Sequence, residues 1–255
     1  MPKPAPQTRP PPPLVRFIEV EDVRLRVATQ RGLDGGVPLL IFNGIGANLE
    51  LLFPLMAAMA GTEIVVFDIP GTGGSDISWR PRYFSDFAHL SATLLDQLDY
   101  TGEVDVAGIS WGGALAQQFA YQFPLRCRQL VLAATSPGTV MVPGYPPVLP
   151  AMIAEYSAQL IAPSIAGFCY QLGAGFGWTS LPWLHRLRQP TLILAGEDDP
   201  LVPVANAWIL EQLIPQSRLH IVPGGGHLFM LDSPGSIAPL LRGFLDSPAS
   251  IPLRR

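Results

Sequence analysis

GISWGGALAQQF, residues 108–119, places a serine between two glycines, each two positions away. The pattern is G-x-S-x-G. A side chain that must project from a sharp strand-to-helix turn needs a strained backbone, and glycines on either side remove the Cβ clashes. The serine oxygen then stands above the strand end, at the N-terminus of the next helix, where developing negative charge is favoured. Five residues decide little by themselves in a chain with 25 glycines, so the flanks must settle the reading. VDVAGI (104–109) reads as a strand buried on both faces, and residues 113–122 fit a helix with a small-residue face. A serine that merely caps an ordinary helix explains Ser110 but not both glycines.

Outward from this turn the same rhythm repeats. PLLIFN (38–43), EIVVFD (63–68), QLVLAAT (129–135) and TLILAGED (191–198) are apolar runs of the same kind, and RLHIVPG (218–224) is a weaker one. LVRFIEV (14–20) and VRLRVATQ (23–30) alternate like a hairpin of half-buried strands. Helical periods lie between the runs. Residues 84–98 put Phe84, Phe87, Leu90, Leu94 and Leu98 on one stripe, and residues 204–213 and 235–245 also fit helices. Strands alternating with helices predict an α/β fold: a mostly parallel, eight-stranded sheet with helices on both faces. In such a sheet the crossovers are right-handed and functional residues gather at the strand C-terminal ends.

One region breaks the rhythm. From Gln129 through His185 the only Asp, Glu, Lys or Arg is Glu155, and the second part of that window holds Tyr145, Tyr156, Phe168, Tyr170, Phe176, Trp178 and Trp183. With no clear strand period, residues 138–182 read as a small apolar cap over the sheet's active edge, inserted into a core of residues 14–137 and 183–248. Residues 1–13, MPKPAPQTRPPPP, read as an extended, disordered tail, because proline blocks both helix and ladder formation. The tail has no apolar h-region, so a secretory signal is not expected. No run of about 18 apolar residues suggests a spanning helix, and the expected compartment is the cytoplasm. Net charge is −4, which gives no basic footprint for nucleic acid. The two cysteines, Cys127 and Cys169, show neither a disulfide framework nor metal spacing.

A serine hydroxyl needs a base to act as a nucleophile at neutral pH. His89 and His185 precede the acidic cluster, and His220 lies inside a strand pattern. His227 follows Gly224-Gly225-Gly226 at a strand end, where glycines let a loop approach another backbone. His227 is therefore the preferred base. The orienting acid should come from the end of the preceding strand, where TLILAGEDDP offers Glu197, Asp198 and Asp199. Pro200 biases Asp199 toward an extended conformation suited to a residue leaving the sheet, so Asp199 is the choice and Asp198 the reserve. Oxyanion donors are expected from the Trp111 N–H at the helix start and the Ile45 N–H in the glycine-rich loop Asn43–Ala47. The Trp111 indole is expected beside the acyl site. Gly71, Gly73 and Gly74 in FDIPGTGGSD lack both a P-loop lysine and G-x-G-x-x-G spacing, so they read as a tight structural turn rather than a phosphate cradle. This chemistry calls for no metal and no cofactor.

FNGIG, DIPGTGGSD, GISWGG, AGEDDPLVP and GGGH occur in an order that resembles the α/β-hydrolase superfamily across some 190 residues. LLIFNGIGANLELLFP, LVLAATSPGTVMVPG and GWTSLPWLHRLRQPTLILAGEDDPLVP are more closely similar to intracellular depolymerases of medium-chain-length polyhydroxyalkanoates. That resemblance implies hydrolysis of ester bonds in stored 3-hydroxyacyl polymer, with a storage-granule surface as partner, Ser110 as nucleophile, His227 as base and an aspartate of EDDP as acid. Members of that family carry a longer cap. Here the chain runs directly from IAPSIAG into FCYQLGAGFGWTS, shorter by more than twenty residues, which leaves the chemistry intact and opens the question of substrate. A carboxylesterase or lipase acting on smaller acyl esters, a hydroxyacyl acyltransferase and a non-catalytic granule-coating protein are the competing readings.

Overall fold

The computed structural model describes residues 12–33, 36–138, 141–145, 151 and 154–247. The proline-rich tail lies outside the described residues up to position 11. The elements in chain order are β1 (Leu14–Val20), β2 (Val23–Gln30), β3 (Leu39–Phe42), α1 (Phe53–Ala58), β4 (Ile64–Phe67), α2 (Phe84–Gln97), β5 (Val104–Ile109), α3 (Trp111–Gln122), β6 (Cys127–Ala133), α4 (Ile165–Gly175), β7 (Thr191–Gly196), α5 (Ala205–Leu213), β8 (Ser217–Val222), α6 (Phe229–Asp232) and α7 (Pro234–Leu245). No helix among the described residues is long and apolar enough to cross a membrane.

All eight strands join one sheet in the order β1-β2-β4-β3-β5-β6-β7-β8. The β1–β2 and β2–β4 pairs are antiparallel and the others parallel. The central strands are buried on both faces because their sequences are apolar at consecutive positions. The period of two then sorts side chains into two cores. Leu40, Phe42, Val65, Val106, Leu132 and Ile193 face α2, α3 and α5. Leu39, Ile41, Val66, Ile109, Val131 and Leu194 face α1, α6 and α7. The eight strands, their mostly parallel pairing and the two helical layers are those expected from the sequence.

The connection from β6 to β7 holds an element that the periodicity did not reveal. Its two ends meet at an antiparallel bridge between Gly138 and Thr179. Within it, α4 starts at Ser164, whose Oγ accepts the Gly167 N–H at 3.0 Å. Helix α4 rests on the turn after β4: Ser164 N and Oγ both donate to Gly71 O at 3.0 Å. A Cβ on Gly167 would stand 2.3 Å from that carbonyl oxygen. The glycine-rich run at 71–74 thus has a structural role.

Asp68, at the end of β4, organises that turn and the loop beside it. Its Oδ1 accepts the Leu49 N–H at 2.7 Å and its Oδ2 the Gly74 N–H at 2.9 Å, with Arg26 Nη1 at 3.4 Å. Burial pushes this carboxyl up to about 6, against the lowering by the two amides and Arg26. Asp68→Asn is expected to destabilise the protein by about 1–3 kcal/mol, because one of the two amides, buried at Leu49 and part-buried at Gly74, loses its acceptor. The folded carboxyl titrates above its unfolded value of about 3.9. Its protonation therefore adds stability that is full below about pH 4 and is lost as pH rises through 6. The wild-type advantage over Asp68→Asn should grow as pH falls from 7 to 4, measured by urea unfolding.

Candidate active site

Strand β5 passes into helix α3 within one residue, and Ser110 absorbs the turn at φ 54°. A non-glycine residue at positive φ is strained and persists only where its surroundings hold it. Ser110 N–H donates to Ala133 O at 2.9 Å, while Ser110 O accepts the Gly113 N–H at 2.9 Å and the Thr135 hydroxyl at 2.7 Å. The glycines are sterically required. A Cβ on Gly108 would lie 2.2 Å from Gly112 O, and one on Gly112 would lie 2.3 Å from Phe42 O.

His227 comes from the loop after β8. That loop lies against the end of β7, where a Cβ on Gly196 would meet Gly225 O at 2.3 Å. His227 Nε2 is 3.0 Å from Ser110 Oγ, and Nδ1 is 2.8 Å from Asp199 Oδ2. The other Asp199 oxygen accepts the Leu201 and Val202 amides, both at 2.9 Å. Both Asp199 and His227 are buried. A carboxylate held as an acceptor fixes Nδ1 as the protonated nitrogen and leaves Nε2 free to take the serine proton.

The three acidic side chains after β7 part company. Asp199 meets the histidine, Glu197 Oε2 accepts the Gly224 N–H at 3.0 Å, and Asp198 is exposed while its amide donates to Gly225 O at 2.9 Å. Among the described residues the histidine is bonded by Asp199 and not by Asp198, and Glu197, itself exposed, binds one amide of the histidine loop. His220 lies in β8, and the His89 ring packs on Phe123 at 5.3 Å.

The loop after β3 lies across from the serine: a Cβ on Gly44 would be 3.8 Å from the Ser110 Cβ. Gly44 N–H donates to Asn43 Oδ1 at 2.9 Å, and Gly46 N–H to Gln171 Oε1 at 2.8 Å. The Ile45 amide between them has no acceptor among the described residues. Trp111 is the first residue of α3, so its N–H is also free of intrahelical bonding. The Trp111 indole does not face the acyl site as expected. It packs between Phe84 and Phe87, at 4.7 and 5.6 Å, and Nε1–H donates to Gln171 O at 2.9 Å.

Ser110 and His227 open into a cavity of about 270 Å³ with walls that include Leu51, Leu160, Phe168, Leu228 and Leu231. Leu160 and Phe168 belong to the 138–182 segment. Gln171 and Asn48 were not singled out by sequence reasoning. Asn48 is fully buried; it donates to Gln159 O and accepts from Ile161 N, both at 3.0 Å. Neither residue belongs to a chemical motif, and only folding brings 48 near 159 or 46 near 171.

A family profile described as alpha/beta hydrolase fold matches residues 37–168 and 162–234. The chain is 43% identical to a poly(3-hydroxyalkanoate) depolymerase of Ectopseudomonas oleovorans, over 92% of this chain and 94% of that one. The alignment runs over 267 positions, more than the 255 residues of this chain, so the relative carries residues that this chain lacks. It is 32% identical to a 2-hydroxy-6-oxo-2,4-heptadienoate hydrolase of Pseudomonas putida, over 82% and 89%. An enol-lactonase structure from Burkholderia xenovorans superposes with a TM-score of 0.80 at 17% identity, covering 91% of this chain and all of that one.

Gly112→Ala should lower stability by about 1–3 kcal/mol, since the added methyl has only strand β3 backbone to displace. Urea unfolding measures this; an unchanged midpoint would contradict the close packing of α3 on β3.

Proposed function

The chain belongs to the alpha/beta hydrolase fold family, and we propose that it is a serine ester hydrolase acting on poly(3-hydroxyalkanoate) through an acyl-enzyme. The observation that carries the chemistry is the continuous Ser110–His227–Asp199 hydrogen-bonded chain at the floor of an apolar cavity. Identity to a depolymerase over nearly the whole length supports the substrate class.

In this reading, His227 Nε2 takes the Ser110 proton as Oγ attacks the ester carbonyl carbon. The Ile45 and Trp111 amides donate to the oxygen that becomes negative. The tetrahedral adduct collapses, the ester C–O bond breaks, and His227 gives its proton to the departing alcohol. Water then yields a proton to His227 and attacks the acyl-enzyme; Ser110 leaves with that proton and the carboxylic acid is released. Asp199 stays ionised and stabilises the imidazolium. No step requires a metal or a cofactor.

Residues 138–182 serve as the cap. They wall the cavity with Leu160, Pro163 and Phe168 and turn an apolar face outward: Ile165, Leu172 and Phe176 on and just beyond α4 are all exposed. A cavity of about 270 Å³ suits one acyl unit, so the rest of a polymer chain lies outside against that face. An uncharged face on the helix that also walls the cavity through Phe168 fits a water-insoluble substrate better than a soluble one. The protein then works in the cytoplasm at a storage-granule surface.

Ser110→Ala should stay folded and lose ester turnover by about four powers of ten or more; undiminished hydrolysis would remove the nucleophile assignment. A substrate panel tests the finer claim: medium-chain polymer latex, short-chain polymer, p-nitrophenyl esters of graded length, and triglyceride. Polymer hydrolysis is expected, and activity confined to soluble esters would retain the hydrolase and overturn the depolymerase. Replacing both Leu172 and Phe176 with serine should depress latex turnover while leaving short p-nitrophenyl esters unaffected.

A further inference from the structure

Gln171 sits in the middle of α4, only 1% exposed, and it bonds both the loop after β3 and the first residue of α3. Its side-chain Oε1 accepts the Gly46 N–H at 2.8 Å, one residue from Ile45. Its main-chain oxygen accepts the Trp111 indole N–H at 2.9 Å. One residue of the 138–182 segment thus holds the two core segments that present the two donor amides. Those segments come from different strand ends, β3 and β5.

The anchoring is stiff on every side. Helix α4 is fixed at its start by Ser164 on Gly71 O and by the backbone contact of Gly167. Gly46 is left-handed at φ 68°, and a Cβ there would touch Phe168 and Pro163 at 3.4 Å. The Gly46 bond also settles the side-chain amide's orientation, since Nε2 cannot accept an N–H. That orientation leaves Gln171 Nε2 buried with no partner among the described residues. An unpaired buried donor is costly, which is accepted here in exchange for a fixed acceptor beside Ile45.

We propose that Gln171 is a positioning residue through which the cap sets the oxyanion pocket. This rests on the reading of Ser110 as the nucleophile. The donors must stand within a few tenths of an ångström of the developing charge, and misplacing them weakens transition-state binding while leaving ground-state binding alone. Gln171 touches neither the substrate nor the reacting atoms in this scheme. It acts through Gly46 and Trp111. The cap then contributes to the chemical step and not only to substrate choice.

The test uses Gln171→Met, near in volume and without the acceptor, and Trp111→Phe, which removes the second bond from the other side. On p-nitrophenyl butyrate, kcat should fall about 10- to 100-fold with KM within about twofold of wild type. Affinity for a trifluoromethyl ketone, whose adduct oxyanion needs the pocket, should fall by a comparable factor. A merely structural role would shift the unfolding midpoint without that matched loss. A folded variant with kcat within about twofold of wild type, or with its loss confined to KM, overturns the proposal. If Gln171→Met does not fold, Trp111→Phe alone decides. Fluorophosphonate labelling of the wild type keeps the two claims apart. Failure to label Ser110 overturns the nucleophile and this proposal together. Labelling with unimpaired variants overturns the positioning role alone.

Discussion

The turn at Ser110 is the constraint on which the rest of the structure depends. A strand buried on both faces ends and a helix begins with one residue between them, and that residue carries a side chain at φ 54°. The conformation costs on the order of 1–3 kcal/mol. It survives because β6 supplies an acceptor at Ala133, Thr135 donates to the serine carbonyl, and Gly108 and Gly112 let α3 sit directly on β5 and β3. The parallel sheet is therefore a scaffold for the turn as much as a core. Three adjacent strands, β3, β5 and β6, must be in register before the serine can hold its position.

Much of this was legible in the sequence because it is local. A buried strand writes itself as a run of apolar residues, and the turn writes itself as two glycines at fixed distance from Ser110. The order of EDDP and GGGH after that turn placed an acid and a histidine at successive strand ends. What escaped was made by folding rather than by pattern. Helix α4 carries three glycines and no charge in eleven residues, so neither amphipathic period nor charge pairing marks it. The sequence favoured Asp199 over Asp198 through Pro200 alone; the backbone amides of residues 201 and 202 that hold the Asp199 carboxylate are supplied only by folding. Trp111 was misplaced because its own position predicts a helix start but not the partner of its indole, which lies sixty residues away.

The polar network around Asn48 shows how the two layers of the site are joined. Arg26, Glu50 and Asp68 form one charge cluster, with Arg26 bonded to Glu50 and close to Asp68. Asn48 links that cluster upward to residues 159 and 161. Buried polar groups of this kind fix geometry only when they are satisfied together. Asn48, whose carbonyl accepts the Asn43 side-chain amide of the loop that faces Ser110, is thus held both by the ion cluster and by main-chain groups of residues 159 and 161.

The bridge between Gly138 and Thr179 closes a neck. The ends of the intervening segment are held together by that bridge, so in the polymer sense they close a loop. The entropy of closing such a loop rises only logarithmically with its length, about 0.6 kcal/mol for each doubling. A longer or a shorter segment at this neck would therefore leave the sheet in place at nearly the same cost in chain entropy. The join read from the sequence, between Gly167 and Phe168, falls inside α4, and the helix runs through it unbroken. Length at this neck is close to thermodynamically neutral, which makes it the place where the fold can be edited without being rebuilt.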